Sequence, residues 1–306
     1  MSGRHPVVRW GVLGSLLLAL VAEARPVHAG AITFSTALPV TSGHAVFRLQ
    51  PTRLSASGDP QPGDRSLDVI VLEAVLAYGV TGRLTLFGMV PIRDARLSQK
   101  LPSVGRTERR ARGFGDARVL ARYTVVQRDD PGRTVRLAPF VGFKAPTGAD
   151  DRSDALGLLP PPLQPGSGSW DLIGGLAFSH QTLGWEVDAA LAMTKAGRGD
   201  WFDPGDVVRC DFSWQRRLAP RRLGEGVPSF LYVIMESNLV WQERTALRGV
   251  EDPASGGTRW FLAPGLQYVT RRFVLEGVVQ IPVVQNLGTG GLETDFIVSL
   301  GMRIYL

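Results

Sequence analysis

This 306-residue sequence predicts an all-β fold: a transmembrane up-and-down antiparallel β-barrel of about twelve strands behind an N-terminal signal peptide. Three observations predict it. Segments of strand length with apolar residues at alternate positions recur along the chain. The connections between them alternate between short and long. The last stretch, 294–306, splits cleanly at a period of two, with Phe296, Val298, Leu300, Met302, Ile304 and Leu306 on one face and Asp295, Ile297, Ser299, Gly301, Arg303 and Tyr305 on the other. In an open sheet that last strand would be an exposed apolar edge, so a barrel closed by it is the expected arrangement.

The chain opens with the features of a secretory signal: Arg4 and Arg9, then the apolar run 10–22, then Val27-His28-Ala29 as a small-x-small cleavage site. An apolar run of about 13 residues is too short to span a bilayer as a helix. Residues 1–29 are therefore read as a signal peptide and 30–306 as the barrel. The formal charge is +6, of which the signal region (Arg4, Arg9 and Arg25 against Glu23) supplies +2, leaving +4. So small an excess gives no argument for nucleic acid. The single cysteine, Cys210, excludes an internal disulfide and reads as a small apolar residue on a strand.

Twelve strands are expected, at 44–54, 69–79, 84–92, 115–127, 135–146, 169–180, 185–195, 205–217, 228–241, 259–269, 273–284 and 294–306. Short turns are expected at 80–83, 128–134, 181–184, 218–227 and 269–272. Long loops are expected at 55–68, 93–114, 148–168, 196–204, 242–258 and 285–293. Short turns on one side and long loops on the other describe an outer-membrane barrel, with the loops outside the cell and both termini in the periplasm. Pro51, Pro91, Pro139, Pro146, Pro264 and Pro282 remove ladder donors and are expected at bulges or strand ends. Strand 84–92 is ambiguous, because neither of its faces is polar.

Charge parity decides which face of each strand looks inward. Within five strands the internal charges share a parity: Asp116, Arg118 and Arg122; Arg136 and Lys144; Glu186 and Asp188; Arg209 and Asp211; Asp295 and Arg303. The opposite faces carry Val119, Ala121, Tyr123, Leu137, Val141 and Phe143. Trp170, Trp241 and Trp260 then fall at the loop end of the lipid face, and Tyr78, Tyr123, Trp185, Trp214, Tyr268 and Phe273 at the turn end, as two interfacial girdles. Pore-lining candidates are Arg118, Arg122, Arg136 and Lys144 on a basic wall, Glu186, Asp188, Glu236 and Glu276 on an acidic one, and Arg209, Asp211, Gln267 and Gln280. Such a lumen is either a water-filled path with a transverse field or a salt-bridged plug. Twelve strands lie between the eight that side chains fill and the sixteen that leave a channel.

Hairpin arithmetic adds register. With Arg271-Arg272 as a two-residue turn, Gln267 falls opposite Glu276. Pairing 127 with 135 across the turn near 128–134 sets Arg118 opposite Lys144, a like-charge pair that needs an acid from across the lumen. Catalysis finds no support: His44 and His180 sit at strand ends, Ser179 points to the face opposite His180, and no nucleophile, metal or phosphate motif is present. No cofactor is expected. The basic stretch 93–112 reads as a solvated loop or as a contact for lipopolysaccharide phosphates.

Several motifs resemble a known family. GFGDARVLARY (113–123), FVGFKAPTG (140–148), GSGSWDLIGGLAFS (166–179) and FLAPGLQYV (261–269) are similar to the G-x-G-D, K-x-P-T-G, G-T/S-G-S and P-G-x-Q elements of the outer-membrane transporters of the meta-pathway of phenol degradation family. The matching residues are Gly113, Gly115 and Asp116; Lys144, Pro146, Thr147 and Gly148; Gly166, Ser167, Gly168 and Ser169; and Pro264, Gly265 and Gln267. The C-terminus also resembles the insertion signal of such barrels through Ser299, Gly301, Ile304 and Leu306, although the last residue of that signal is usually aromatic. The resemblance implies a barrel and, by association, passage of small molecules, aromatic or hydrophobic compounds among them. An outer-membrane barrel is also expected to have outer-membrane lipid, lipopolysaccharide and the barrel-assembly machinery as partners. The alternatives are a closed structural or adhesive barrel and a lipid-modifying barrel enzyme.

Overall fold

A computed structural model describes residues 29–102, 104–222 and 229–306. The expected signal peptide and most of its cleavage motif lie outside the described residues. Among the described residues a single barrel wall is built from twelve antiparallel strands: β1 Ala45–Gly58, β2 Ser66–Gly79, β3 Leu84–Leu101, β4 in three segments (Gly105–Phe114, Ala117–Tyr123 and Val126–Asp130), β5 Arg133–Ala145, β6 Asp171–Thr182, β7 Trp185–Lys195, β8 Val207–Ala219, β9 Ser229–Gln242, β10 Gly257–Thr270, β11 Phe273–Leu287 and β12 Glu293–Tyr305. Each strand pairs with the next, and β12 pairs back onto β1 through Phe47↔Ile304 and Leu49↔Met302, which closes the ring. Closure leaves no free sheet edge, the condition for strands to cross a bilayer.

The twelve expected strands are all present; their turn ends fall within three residues of expectation, and the larger differences are at the loop ends. Of the expected loops, 93–114 is largely strand and 55–68 and 285–293 are about half strand. Only residues 59–65, 102–104 and 288–292 separate β1 from β2, β3 from β4 and β11 from β12. The longest extension is the β3–β4 hairpin, paired from Ile92↔Phe114 to Leu101↔Gly105. Its cations pair with acids: Arg110 with Asp94, Arg96 with Glu108 and Arg106 with Asp64. The solvated basic loop expected there is an ion-paired ribbon, with Lys100 and Arg112 left exposed.

Every proline in question sits where the ladder is interrupted. Between β1 and β12 the pairing passes from Leu49↔Met302 to Thr52↔Ser299, skipping Pro51. Between β10 and β11 it skips Pro264 and shifts register at Pro282. Pro91 and Pro139 face the two breaks in β4, and Pro146 follows the end of β5. A missing N–H is tolerated only where no ladder partner needs it.

Outward-facing residues form an apolar band, with Leu176, Leu191, Val119, Val141, Leu266 and Leu300 all exposed. All nine expected girdle aromatics are exposed as well. Exposure on this scale fits lipid, not water. Cys210 is exposed on the same face.

Two inward features occupy the lumen. At the loop end, the β5–β6 connection folds in, and its Leu159 and Leu163 pack on Val69, Ala95, Leu97 and Ala111 of β2, β3 and β4. Arg109 fastens it by bonding Asp154 (2.7 and 2.8 Å) and the carbonyls of Gly157 and Leu158. Deeper in, the segment 29–41 that precedes β1 runs inside the barrel.

Candidate functional site: the lumen and its N-terminal plug

The inner wall is polar where the plug lies. Its backbone needs partners, since it forms no strand of its own. Glu236 of β9 accepts from the amides of Ile32 (2.6 Å) and Thr33 (3.1 Å) and from the Thr33 hydroxyl (2.5 Å). Gln267 of β10 both donates to the Gly30 carbonyl (3.1 Å) and accepts from its amide (3.3 Å). Ser179 of β6 accepts from the Ala37 amide, and Thr85 of β3 from that of Val40. From the basic side, Arg48 and Arg303 donate to the carbonyls of Ile32 and Ala31 (2.6 and 2.7 Å). Arg122 donates to the Ser35 hydroxyl and to the carbonyls of Thr36 and Leu38.

The sequence-derived candidates thus separate by position. Arg122, Glu236 and Gln267 hold the plug directly. Glu276 anchors the holders: Arg48 lies 2.6 Å and Arg303 2.8 Å from its carboxylate, and Gln267 donates to it at 2.8 Å. That last bond follows from the expected register, since Gln267 and Glu276 are paired. Asp188 is bonded by Ser179 (2.5 Å) and Gln215, and Glu186 by Gln181. Asp211 accepts from Arg209 and from Asn238, to which Gln280 donates. These groups form separate polar clusters on the inner wall, one of which reaches the plug through the bond from Asn238 to the Thr33 hydroxyl (2.8 Å).

The basic wall is not one surface. Arg136 lies toward the β4–β5 turn and pairs with Asp129 at 2.6 Å. Lys144 lies at the loop end and pairs with Asp171 at 2.6 Å. Arg118 and Lys144 are register partners as expected, but among the described residues no acid from across the lumen bridges them. Arg118 turns to Glu73 on the adjacent side and Lys144 to Asp171 on the other. Two local ion pairs relieve the repulsion more cheaply than one acid stretched across the barrel.

Three of the four family-like motifs converge at that loop end; the fourth carries Gln267, which holds the plug. Asp116 accepts from the amides of Gly148 (3.0 Å) and Ser167 (2.9 Å), and Lys144 donates to Ser169 (3.3 Å). Thr147 bonds both Ala117 and Gly115. Gly148 and Gly166 touch backbone to backbone: a Cβ on Gly148 would stand 2.7 Å from the Gly166 Cα, so neither tolerates a side chain. Those three motifs tie together the ends of β4, β5 and β6.

Sequence reasoning missed the plug, Arg48 and Glu73. Glu73 is the only charge in the expected strand 69–79, and Arg48 shares 44–54 with Arg53 of opposite parity, so neither gave a parity signal. Between the plug and the wall of β12, β1, β2, β3 and β4 lies a cavity of about 760 Å³ at the turn end. Its wall includes Val46, Val75, Phe87, Met89 and Leu120, with Arg48, Arg118 and Arg122 among them. The ambiguous strand is resolved here. Leu86 and Val90 face lipid, while Phe87 and Met89 face this cavity, so β3 is apolar on both sides. Ser179 points inward to Asp188, whereas His180 packs against Trp185 on the outside, so the two form no nucleophile–base pair.

The sequence profile of the family described as "Putative MetA-pathway of phenol degradation" matches residues 58–277. No curated protein matches the chain. Among solved structures, an outer membrane channel from Pseudomonas putida F1 is similar over 90% of this chain and 100% of its own, with TM-score 0.67 and 16% identity. The beta domain of the Bordetella autotransporter BrkA (TM-score 0.48, 12% identity, 87% of this chain and 100% of its own) and the translocator domain of NalP from Neisseria meningitidis (0.43, 9%, 87% and 90%) are more distant. With more than half of its length matched by that profile, and its strands closed into a lipid-facing ring, the chain belongs to the phenol-degradation MetA-pathway family and is an outer-membrane β-barrel.

Proposed function

We propose that the protein is a passive channel for small molecules, hydrophobic or aromatic compounds among them. The turn-end chamber carries this reading. A lumen meant only to be filled has no use for a space of about 760 Å³ with an apolar patch on its wall, within the range of small-ligand sites. The description of the family, which names phenol degradation, supports the solute class, and the similar Pseudomonas putida protein is described as a channel. We take the loops to be extracellular and the chamber periplasmic. Lys100 and Arg112 on the β3–β4 hairpin would then meet lipopolysaccharide phosphates, and the last strand the assembly machinery.

The plug favours a second reading, a closed barrel with a structural role. Planar-bilayer recordings separate the two. The channel reading expects small, steady conductance from the intact protein and a larger one after deletion of residues 31–40. Silence from both would leave the closed barrel.

A further inference from the structure

The chamber carries a charge imbalance that the plug does not resolve. Its lining holds the guanidinium groups of Arg48, Arg118, Arg122, Arg271, Arg272 and Arg303 against the carboxylate of Glu73. Arg118 is paired with Glu73, and Arg48 and Arg303 share the buried, inward-facing Glu276. Arg122 differs. It is only 4% exposed, and among the described residues no carboxylate is paired with it. Its acceptors are neutral: the Ser35 hydroxyl and the carbonyls of Thr36 and Leu38, with the Phe87 ring 4.7 Å below the guanidinium carbon. A buried cation is better matched by an anion, and a carboxylate engages a guanidinium with two parallel bonds about twice as strong as neutral ones.

Beside that cation the wall is apolar, with Phe87, Met89 and Leu120 on β3 and β4. We propose that the chamber is a binding site for a small carboxylate with an apolar body. The carboxylate takes Arg122 from the Thr36 and Leu38 carbonyls, and the body lies against Phe87, Met89 and Leu120. The inference rests on the reading of the lumen as a solute path and names the class of solute. A ligand of this kind would loosen the plug as it binds, because the two compete for one guanidinium.

The test uses the purified full barrel in detergent, titrated calorimetrically with sodium benzoate, with benzyl alcohol as the neutral counterpart and sodium chloride at matched ionic strength. Benzoate should saturate, and benzyl alcohol should bind about tenfold more weakly or worse, the loss of one charge-assisted bond. Arg122→Gln should erase that preference, and Arg122→Lys should restore part of it. If Arg122→Gln does not fold, Leu120→Trp, which fills the apolar wall and leaves every charge, should block benzoate. Equal affinity for the two compounds, saturation by chloride alone, or benzoate affinity unchanged in Arg122→Gln or Leu120→Trp would overturn the site. In a Cys210→Ala background, benzoate should accelerate maleimide labelling of Phe34→Cys. Binding with no change in that rate would overturn the competition with the plug. Benzoate binding through Arg122 in a barrel that passes no solute would uphold the site and refute the channel. Solute flux without benzoate binding would do the reverse.

Discussion

Replacing Glu276 by Gln is the perturbation whose outcome the structure fixes most tightly. The carboxylate is fully buried and sits between two guanidiniums, Arg48 at 2.6 Å and Arg303 at 2.8 Å, whose side chains are 17% and 15% exposed. The amide keeps one acceptor oxygen and the shape but loses the charge. Two cations then face each other across a neutral group. Breaking a buried pair from one side costs about 3–5 kcal/mol. We expect the lower end, about 3 kcal/mol, because both arginines border the chamber and each keeps a plug carbonyl, Ile32 for Arg48 and Ala31 for Arg303. The assay is urea unfolding of the refolded barrel in detergent, followed by tryptophan fluorescence. Adding Arg48→Gln to the variant should recover about 0.5–3 kcal/mol as coupling energy. A loss below about 1 kcal/mol for Glu276→Gln, with no coupling, would mean that water already screens the cluster, and the reasoning would be refuted.

Leu176→Arg should destabilise the inserted barrel by about 2–4 kcal/mol in the same assay, because a charge there faces the bilayer, whereas Thr194→Arg on the inward face of β7 should cost much less. Arg109→Ala should free the β5–β6 connection, seen as new protease cleavage near the exposed residues 154–157, with barrel melting little changed. In the β1–β2 loop, the hydrogen bond from the Arg65 guanidinium holds the Asp59 carboxyl down at about 2. A depressed pKa gives stability that is complete above the unfolded value near 3.8 and is lost as pH falls through the folded one. Hydrogen exchange in residues 59–65 should therefore stay flat from pH 7 to about 4 once intrinsic rates are divided out, and Asp59→Asn should raise it at all pH values.

What the sequence disclosed, and what it hid, follows from where each segment lies. Inside the bilayer one face must be apolar, so the parity of Arg118 and Arg122 against Val119 and Tyr123 could be read directly. In the β3–β4 ribbon beyond it, neither face meets lipid. Arg96 lies between Ala95 and Leu97, but the adjacent Arg109 and Arg110 put charge on both parities, and the stretch read as a loop although it is strand. The pairing of Arg118 with Lys144 came out right through two offsetting errors. The turn pairs Arg128 with Val135, one residue from expectation, and the break at Thr124–Val125 restores the register. Gly175, beside the lipid-facing Leu176 and so on the lumen parity, is covered: a Cβ there would lie 2.4 Å from the Phe140 ring. Period two reports which way a residue points and nothing of what stands in front of it. The plug has no period at all, because its partners are side chains from distant strands and not a neighbouring ladder.

Those distances along the chain set an order of assembly. The bonds from Gly30 to Gln267 and from Ile32 to Glu236 span 237 and 204 residues. The segment nearest the N-terminus can find its partners only after β9 and β10 exist, and the ring that surrounds it closes only when β12 meets β1. Contacts so remote in sequence form slowly. The plug therefore behaves as a late clasp: a nascent wall can curl and insert while still hollow, and its centre fills at the moment the seam is sealed.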